Sequence, residues 1–239
     1  MKNNDHLILV CGKSATGKSA SLMNLKNPEG VIYLNCEAGK KLPFKSKFKE
    51  LVVTDPAMVY QAFAEAEKMS GIHTIVIDSL TYLMDMFEST RVLTSANTQK
   101  AWGDYAQYLK VLMSQIVSTS TKNVIFLAHT TDVYNEAEIA TETFVKVKGS
   151  LMNTGIESFF TNVISSKKVP ITKLTDKNDL LTITPEEEDL GFKYVFQTRL
   201  TKETVNERMR SPMGFWTKEE TYIDNNLQNV IDRLHEYYS

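Results

Sequence analysis

The stretch Gly12-Lys13-Ser14-Ala15-Thr16-Gly17-Lys18-Ser19 decides how the rest of the sequence is read. Two glycines four residues apart, followed by Lys and Ser, fit the phosphate-binding loop pattern. Glycines let backbone N–H groups curl around an anion at a helix N-terminus, where the helix dipole also favours negative charge. In such a loop Gly12, Lys13, Ser14, Ala15, Thr16 and Gly17 form the cradle. Lys18 reaches the β- and γ-phosphates of a nucleotide, and the Ser19 hydroxyl ligates Mg²⁺. The bland alternative is an unrelated glycine-rich turn. Context favours the cradle: His6 to Cys11 reads as a buried strand before it, and a helix is expected from about Gly17 until Pro28 and Gly30 close it.

Working outward, short apolar runs alternate with helical patterns. Val31 to Cys36, Glu50 to Thr54, Thr74 to Ile77 and Val124 to Ala128 read as strands. Asp55 and Pro56 open a helix running to Gly71, and Trp102, Tyr105, Leu109, Leu112 and Ile116 mark a second at three- and four-residue spacing. This alternation predicts an α/β fold with a mostly parallel central sheet and helices on both faces. Thr130 to Thr154 is polar and lacks clear periodicity, so it reads as a long functional loop. Asn162 to Ile171 and Lys193 to Leu200 read as an antiparallel extension, with acidic Pro185 to Asp189 between them. An amphipathic helix follows, with Ile223, Leu227, Val230, Ile231 and Leu234 on one face. A single domain over residues 1–239 is expected, its core reaching about residue 170 and its C-terminal strands and helix filling about 190–239.

The chain has 239 residues, 27 basic against 29 acidic, with 42% hydrophobic and 23% charged residues. These proportions exclude a disordered or collagen-like chain. A net charge of −2 argues against coating nucleic acid by bulk charge, though not against a local patch. Two cysteines, Cys11 and Cys36, are too few for a disulfide scaffold and read as buried thiols in a reducing compartment. The apolar run Leu7 to Cys11 is too short for a signal-peptide core or a membrane span. A soluble cytoplasmic protein is expected.

Three strand tips carry further chemistry. Ile75-Val76-Ile77-Asp78 ends an apolar strand in a carboxylate placed to hold the Mg²⁺ water shell. Asp78 could instead only cap the helix that follows. Glu37 ends another strand in Tyr33-Leu34-Asn35-Cys36-Glu37, where a general base orienting water toward the γ-phosphate belongs. The alternative is a solvated loop glutamate. His129 ends Val124 to Ala128 and could sense the γ-phosphate for the segment that follows. The alternative is a histidine hydrogen-bonded at a strand end.

The order of P-loop strand, Glu-tipped strand, Asp-tipped strand and polar-tipped strand resembles the RecA/KaiC-type ATPase core. It is most similar to the short phage-encoded RecA-like ATPases associated with single-strand annealing and recombination. The resemblance rests on Gly12 to Ser19, Tyr33 to Gly39, Ile75 to Ser79, Trp102-Gly103-Asp104-Tyr105 and Phe126-Leu127-Ala128-His129-Thr130. It implies ATP and Mg²⁺ as ligands, and an added strand between the P-loop and Asp78 strands. It also implies a catalytic Glu37, a sensor at His129, and a homo-oligomer with active sites at subunit interfaces. Arg208 and Arg210 match the basic pair that completes a neighbouring site in KaiC-like members, with Arg where that pattern has Lys first. Thr130 to Thr154 would occupy the place of a DNA-contacting loop.

Arginine usage adds to this reading. Of Arg91, Arg199, Arg208, Arg210 and Arg233, three fall between 199 and 210, and Arg is favoured for bidentate phosphate contact. A solvated strand-and-turn surface is the alternative. Lys40 to Lys49 interleaves five lysines with Phe44 and Phe48, which could follow a single strand and stack its bases, or could simply be a solvated face. Asp132, Glu136, Glu138 and Glu142 outnumber Lys146 and Lys148 in the 130–154 segment, so DNA binding there rests on the resemblance. The reading that follows is a Mg²⁺-dependent ATPase acting on single-stranded DNA. A nucleotide-gated binding module and a small-molecule kinase are the alternatives; the second is disfavoured because residues 1–90 hold no arginine for a lid.

Overall fold

The computed structural model describes residues 4–137, 139–176 and 178–239, so Glu138 of the acidic segment lies outside the described residues. Among the described residues nine strands form one sheet: β1 (Leu7–Gly12), β2 (Val31–Asn35), β3 (Lys49–Val52), β4 (Thr74–Asp78), β5 (Asn123–Asn135), β6 (Ala140–Val145), β7 (Asn162–Pro170), β8 (Phe192–Gln197) and β9 (Tyr222–Asp224). Their order is β3-β2-β4-β5-β1-β7-β8-β9, with β6 paired to β5. The strands from β3 through β7 run parallel, while β8 and β9 add on antiparallel. β5 lies between the P-loop strand and the Asp78 strand, the place the resemblance implies for an added strand.

The central strands are buried on both faces, which is why each reads as an unbroken apolar run. Side chains alternate across the sheet. Leu9, Leu34, Ile75, Ile77 and Phe126 enter one core with α1 (Ala57–Lys68), α2 (Leu80–Phe87) and α3 (Thr98–Val111). Val10, Tyr33, Val76, Ile125 and Leu127 enter a second, under the final helix, residues Leu227–Tyr238. Short helices α4 (Ser150–Thr154) and α5 (Pro185–Leu190) precede that helix, here α6.

Three local readings are corrected, and one stretch left without an assignment gains an element. The helix expected from Gly17 is one 3₁₀ turn, Ser19–Leu22. Ser21 Oγ donates to the Lys18 carbonyl and Asn27 adopts φ +49°, so polar side chains and a left-handed residue compete with helix growth. The segment Thr130 to Thr154 is no featureless loop: β5 continues to Asn135 and pairs with β6 from Thr130↔Val145 to Asn135↔Ala140. Its Thr, Val and Tyr residues suit a strand, and charges between them hid the alternation. The acidic Pro185 stretch is helical, with a capping box in which Thr184 and Glu187 bond each other's backbone. Ile223 lies in β9, ahead of the terminal helix.

Among the described residues no helix is long and apolar enough to cross a membrane. Cys11 and Cys36 are buried and unpaired.

Candidate active site

The C-terminal ends of β1, β2, β4 and β5 converge on one cavity of about 810 Å³. Its first wall is the loop after β1. A Cβ on Gly12 would lie 2.5 Å from the Ser166 carbonyl oxygen, so only glycine fits there. Gly17 has φ +93°, and a Cβ on it would meet Asn225 Nδ2 at 2.3 Å. Ser166 Oγ donates to the Thr16 carbonyl at 2.7 Å, and Asn225 Nδ2 donates to the Gly17 carbonyl at 2.9 Å. Thr16 Oγ1 closes the turn onto the Lys13 carbonyl at 2.9 Å. The loop is therefore braced by side chains some 150 and 208 residues further along.

Lys18 is buried, and its Nζ donates to the Gly12 and Lys13 carbonyls at 2.9 and 2.7 Å. Burial pulls the ammonium down to about 8, with Asp78 opposing that shift. An anionic phosphate at this position would restore the charged form.

Asp78 ends β4 with its carboxylate turned into the cavity. Ser19 Oγ donates to its Oδ2 at 2.7 Å and Tyr33 Oη donates to the same oxygen at 2.9 Å. No side-chain cap joins Asp78 to α2; Ser79 holds the cap position. Burial raises the Asp78 carboxyl above its ordinary range, the nearby Glu37 charge adds to that, and the two hydroxyl bonds oppose it. The donor set fits Mg²⁺. Ser19 and Asp78 offer two hard oxygens at one point, and Mg²⁺ completes its shell with waters and substrate phosphates rather than a protein cage. Among the described residues no group of three or more His, Cys, Asp or Glu is placed to hold a metal alone.

Glu37 follows β2 and leans into the same cavity. Its Oε2 pairs with Lys40 Nζ at 2.8 Å; its Oε1 lies 3.4 Å from His129 Nε2 and accepts from Ser79 Oγ at 3.4 Å. The His129 contact, ahead of the Lys40 bond, holds Glu37 down at about 2 despite burial. His129 is itself placed by β5: its N–H donates to Thr81 Oγ1 at 2.9 Å and its ring meets Tyr82 edge-on at 5.8 Å. The structure thus brings Lys18, Ser19, Glu37, Asp78 and His129 around one space.

The arginine pair is elsewhere. Arg208 stacks over Phe144 at 4.5 Å and reaches Glu142 at 3.4 Å and Glu157 at 3.9 Å, lining a separate groove beside the β5–β6 hairpin. Arg210 is exposed, and its backbone bridges to Val163. Neither lines the P-loop cavity. Arg199 Nη1 donates to the Trp216 carbonyl at 2.7 Å. In the lysine-rich segment all five lysines are exposed, but Phe44 and Phe48 pack inward on each other and on Tyr33. They are not presented for stacking with bases.

The sequence reading passed over Tyr33, Asn35, Ser166 and Asn225. Asn35 is fully buried and pins the turn after β2: its Oδ1 accepts from Glu37 N–H and its Nδ2 donates to the Lys40 carbonyl. A polar residue inside the apolar run Val31 to Cys36 was the available signal. The cavity wall beside Gly17 is formed by Tyr194 and Asn225, with Asp224 and Asn226 also in the lining. Lys193, also there, pairs with Glu187 at 2.5 Å and Asp224 at 3.2 Å.

Residues 5–184 match the model of a family described as an AAA domain (AAA_24). The chain belongs to that AAA-domain family. The family's span contains every strand tip of the cavity, from Gly12 to His129, and stops short of Arg208 and Arg210. Among solved structures the AAA domain is similar to a KaiC-like protein from the hyperthermophilic archaeon Pyrococcus horikoshii. That match has 14% identity over 86% of this chain and 83% of the other, with a TM-score of 0.47. No curated protein matches the chain.

Proposed function

We propose that this P-loop AAA domain is a Mg²⁺-dependent ATPase acting on single-stranded DNA in phage recombination or annealing. One observation carries the ATPase reading: a P-loop lysine, two Mg²⁺-type oxygens, a carboxylate base and a polar sensor face one cavity from four parallel strands. In this reading Lys18 binds the β- and γ-phosphates, and Ser19 and Asp78 hold Mg²⁺, which neutralises charge on the phosphate oxygens. Glu37 accepts the proton of the attacking water and His129 reports the γ-phosphate. Single-stranded DNA is supported by the family resemblance and by the exposed lysines from 40 to 49, with backbone contact rather than base stacking as the mode. Assembly into an oligomer would leave Arg210, the exposed member of the pair, to reach a neighbour; Arg208 is engaged within its own chain.

A second reading, a nucleotide-gated binding module with little turnover, draws on the His129 contact and the Lys40 pair of Glu37, which together leave the carboxylate a weak base while they last. A kinase reading gains nothing: among the described residues no arginine lines the cavity. The test compares ATP hydrolysis with and without single-stranded DNA for wild type and Glu37→Gln. Stimulation by DNA that vanishes in the variant supports the first reading. Tight ATP binding without turnover in the wild type supports the second.

A further inference from the structure

Glu37 and Lys40 are joined by a turn whose backbone is fixed and whose lysine side chain is not. Ala38 and Gly39 both adopt left-handed φ, +53° and +77°, and Lys40 N–H donates to the Glu37 carbonyl at 3.1 Å. Asn35, fully buried, holds both ends of this turn: it accepts from Glu37 N–H at 3.0 Å and donates to the Lys40 carbonyl at 3.0 Å. Its Nδ2 also reaches Glu50 at 2.8 Å. Beyond this anchor the Lys40 side chain is 70% exposed, while the Glu37 side chain it grips is only 10% exposed. Lys40 and Glu37 line the P-loop cavity together with Lys18 and Asp78.

The charges around that cavity are few. Lys193 is neutralised by Glu187 and Asp224, and Lys13, which is not in the cavity lining, pairs with Asp132. Lys18 and Lys40, with Lys41 beside them, remain to face the charge of a bound nucleotide. A terminal phosphate carries more charge than one carboxylate, and three oxygens instead of two. It competes directly for the ammonium of Lys40.

We propose that Lys40 is a latch on Glu37 that the terminal phosphate of the nucleotide opens. Without nucleotide Lys40 holds one carboxylate oxygen; when a triphosphate binds, the ammonium moves to the γ-phosphate and Glu37 Oε2 is released at the same step, while Oε1 keeps its 3.4 Å contacts to His129 and Ser79. A diphosphate lacks the group that draws Lys40 away, so the base stays latched after product forms. The inference rests on the ATPase reading above and assigns it a further catalytic residue. No proton is lost in the exchange: Lys40 stays charged and changes partner, and Glu37 becomes free to take a proton from water.

The test is calorimetric titration of the full chain with Mg·ADP and with a non-hydrolysable Mg·ATP analogue, followed by turnover measurements. Lys40→Met should weaken the triphosphate analogue about tenfold, the size of one charge-assisted hydrogen bond, and leave ADP within about twofold. Its kcat should fall by a similar factor, and Lys40→Arg should restore most of both. Lys110→Met, on the exposed face of α3 and outside the cavity, is the control and should change neither. Equal loss for both nucleotides, no loss for either, or a rise in kcat on removing Lys40 overturns the proposal. A wild-type protein that binds neither nucleotide overturns the ATPase reading as well. Binding of both by wild type, with no discrimination lost in Lys40→Met, overturns only the latch.

Discussion

The two ends of the parallel sheet carry similar residues and do different things with them. At the C-terminal ends of the strands, Lys18, Glu37, Asp78 and His129 surround an open cavity of about 810 Å³ with charge in excess of what they satisfy among themselves. At the N-terminal ends, three of the four histidines meet around Asn123 and Thr74. His6 Nδ1 and His235 Nε2 both contact Asn123 Oδ1, at 3.2 and 3.0 Å, and their rings meet edge-on at 4.4 Å. Asn123 Nδ2 donates to Thr74 Oγ1, which also contacts His73 Nδ1 at 2.8 Å, and His73 Nε2 contacts the Asn27 carbonyl at 3.0 Å. Those contacts link β4, β5 and α6, and the smaller cavity of about 330 Å³ that they line holds one ionic pair already joined, Lys26 with Asp232. Polar density alone therefore does not mark a site. Unspent charge beside empty space does.

The contrast is broken most severely at Lys18. Lys18→Ala should lower hydrolysis by about a thousandfold or more, since it removes the ammonium from the transferring phosphate. Wild-type turnover in that variant would show that the cavity is not the site.

A smaller effect is expected at Tyr33. Its hydroxyl shares Asp78 Oδ2 with Ser19, so it orients the carboxylate that is proposed to hold Mg²⁺. Tyr33→Phe should raise the Mg²⁺ concentration for half-maximal activity several-fold, with kcat at saturating Mg²⁺ nearly unchanged. An unaltered Mg²⁺ titration would make Tyr33 a packing residue only.

At the opposite end the same kind of change should touch stability alone. Asn123→Ala strips one hub from the histidine network and should cost about 1–2 kcal/mol in urea unfolding, with kcat and KM intact. A fall in kcat would mean the two ends communicate.

The smallest effect separates the ends by pH. Burial, with His6 beside it, lowers the His235 pKa below its ordinary value. Protonation is then easier in the unfolded chain, so this contribution is full above about pH 6.5 and is lost as the pH falls below it. Glu37 is depressed instead, from 4.5 to about 2, so its contribution is present above about pH 4.5 and fades toward pH 2. Urea midpoints measured between pH 8 and 5 should fall for wild type and fall less for His235→Gln. Parallel curves would remove His235 from the account.

The contrast also explains which parts were legible in the sequence. β1, β2, β4 and β5 are buried on both faces, so burial alone writes them as apolar runs, and the residue ending each run is exposed to chemistry. That rule singled out Asp78, Glu37 and His129, and the glycine spacing singled out the loop of Gly12 to Ser19; Ser14 to Ser19 and the three strand-tip residues line one cavity. Tyr33 and Asn35 were hidden by the same rule, because a tyrosine and an asparagine within Val31 to Asn35 read as core. β9 is three residues long, too short for any pattern to register. The β5–β6 hairpin carries its alternation on Thr, Asp and Glu rather than on large apolar residues, so its pairing shows only in register. The separation of Arg208 from the cavity could not be read from spacing, since it depends on Glu142 and Glu157, which come from different elements.

The brace on the P-loop has a consequence in time. A ribosome makes residue 17 early, yet the carbonyl of Gly17 waits for the amide of Asn225 and that of Thr16 for the hydroxyl of Ser166. At about 5–20 residues per second the gap between Gly17 and Asn225 is on the order of ten to forty seconds. During that interval the nascent chain carries the nucleotide-binding motif without two of its supports. The emerging protein cannot present a finished phosphate cradle until the strand-and-turn segment around Asn225 has folded back across it.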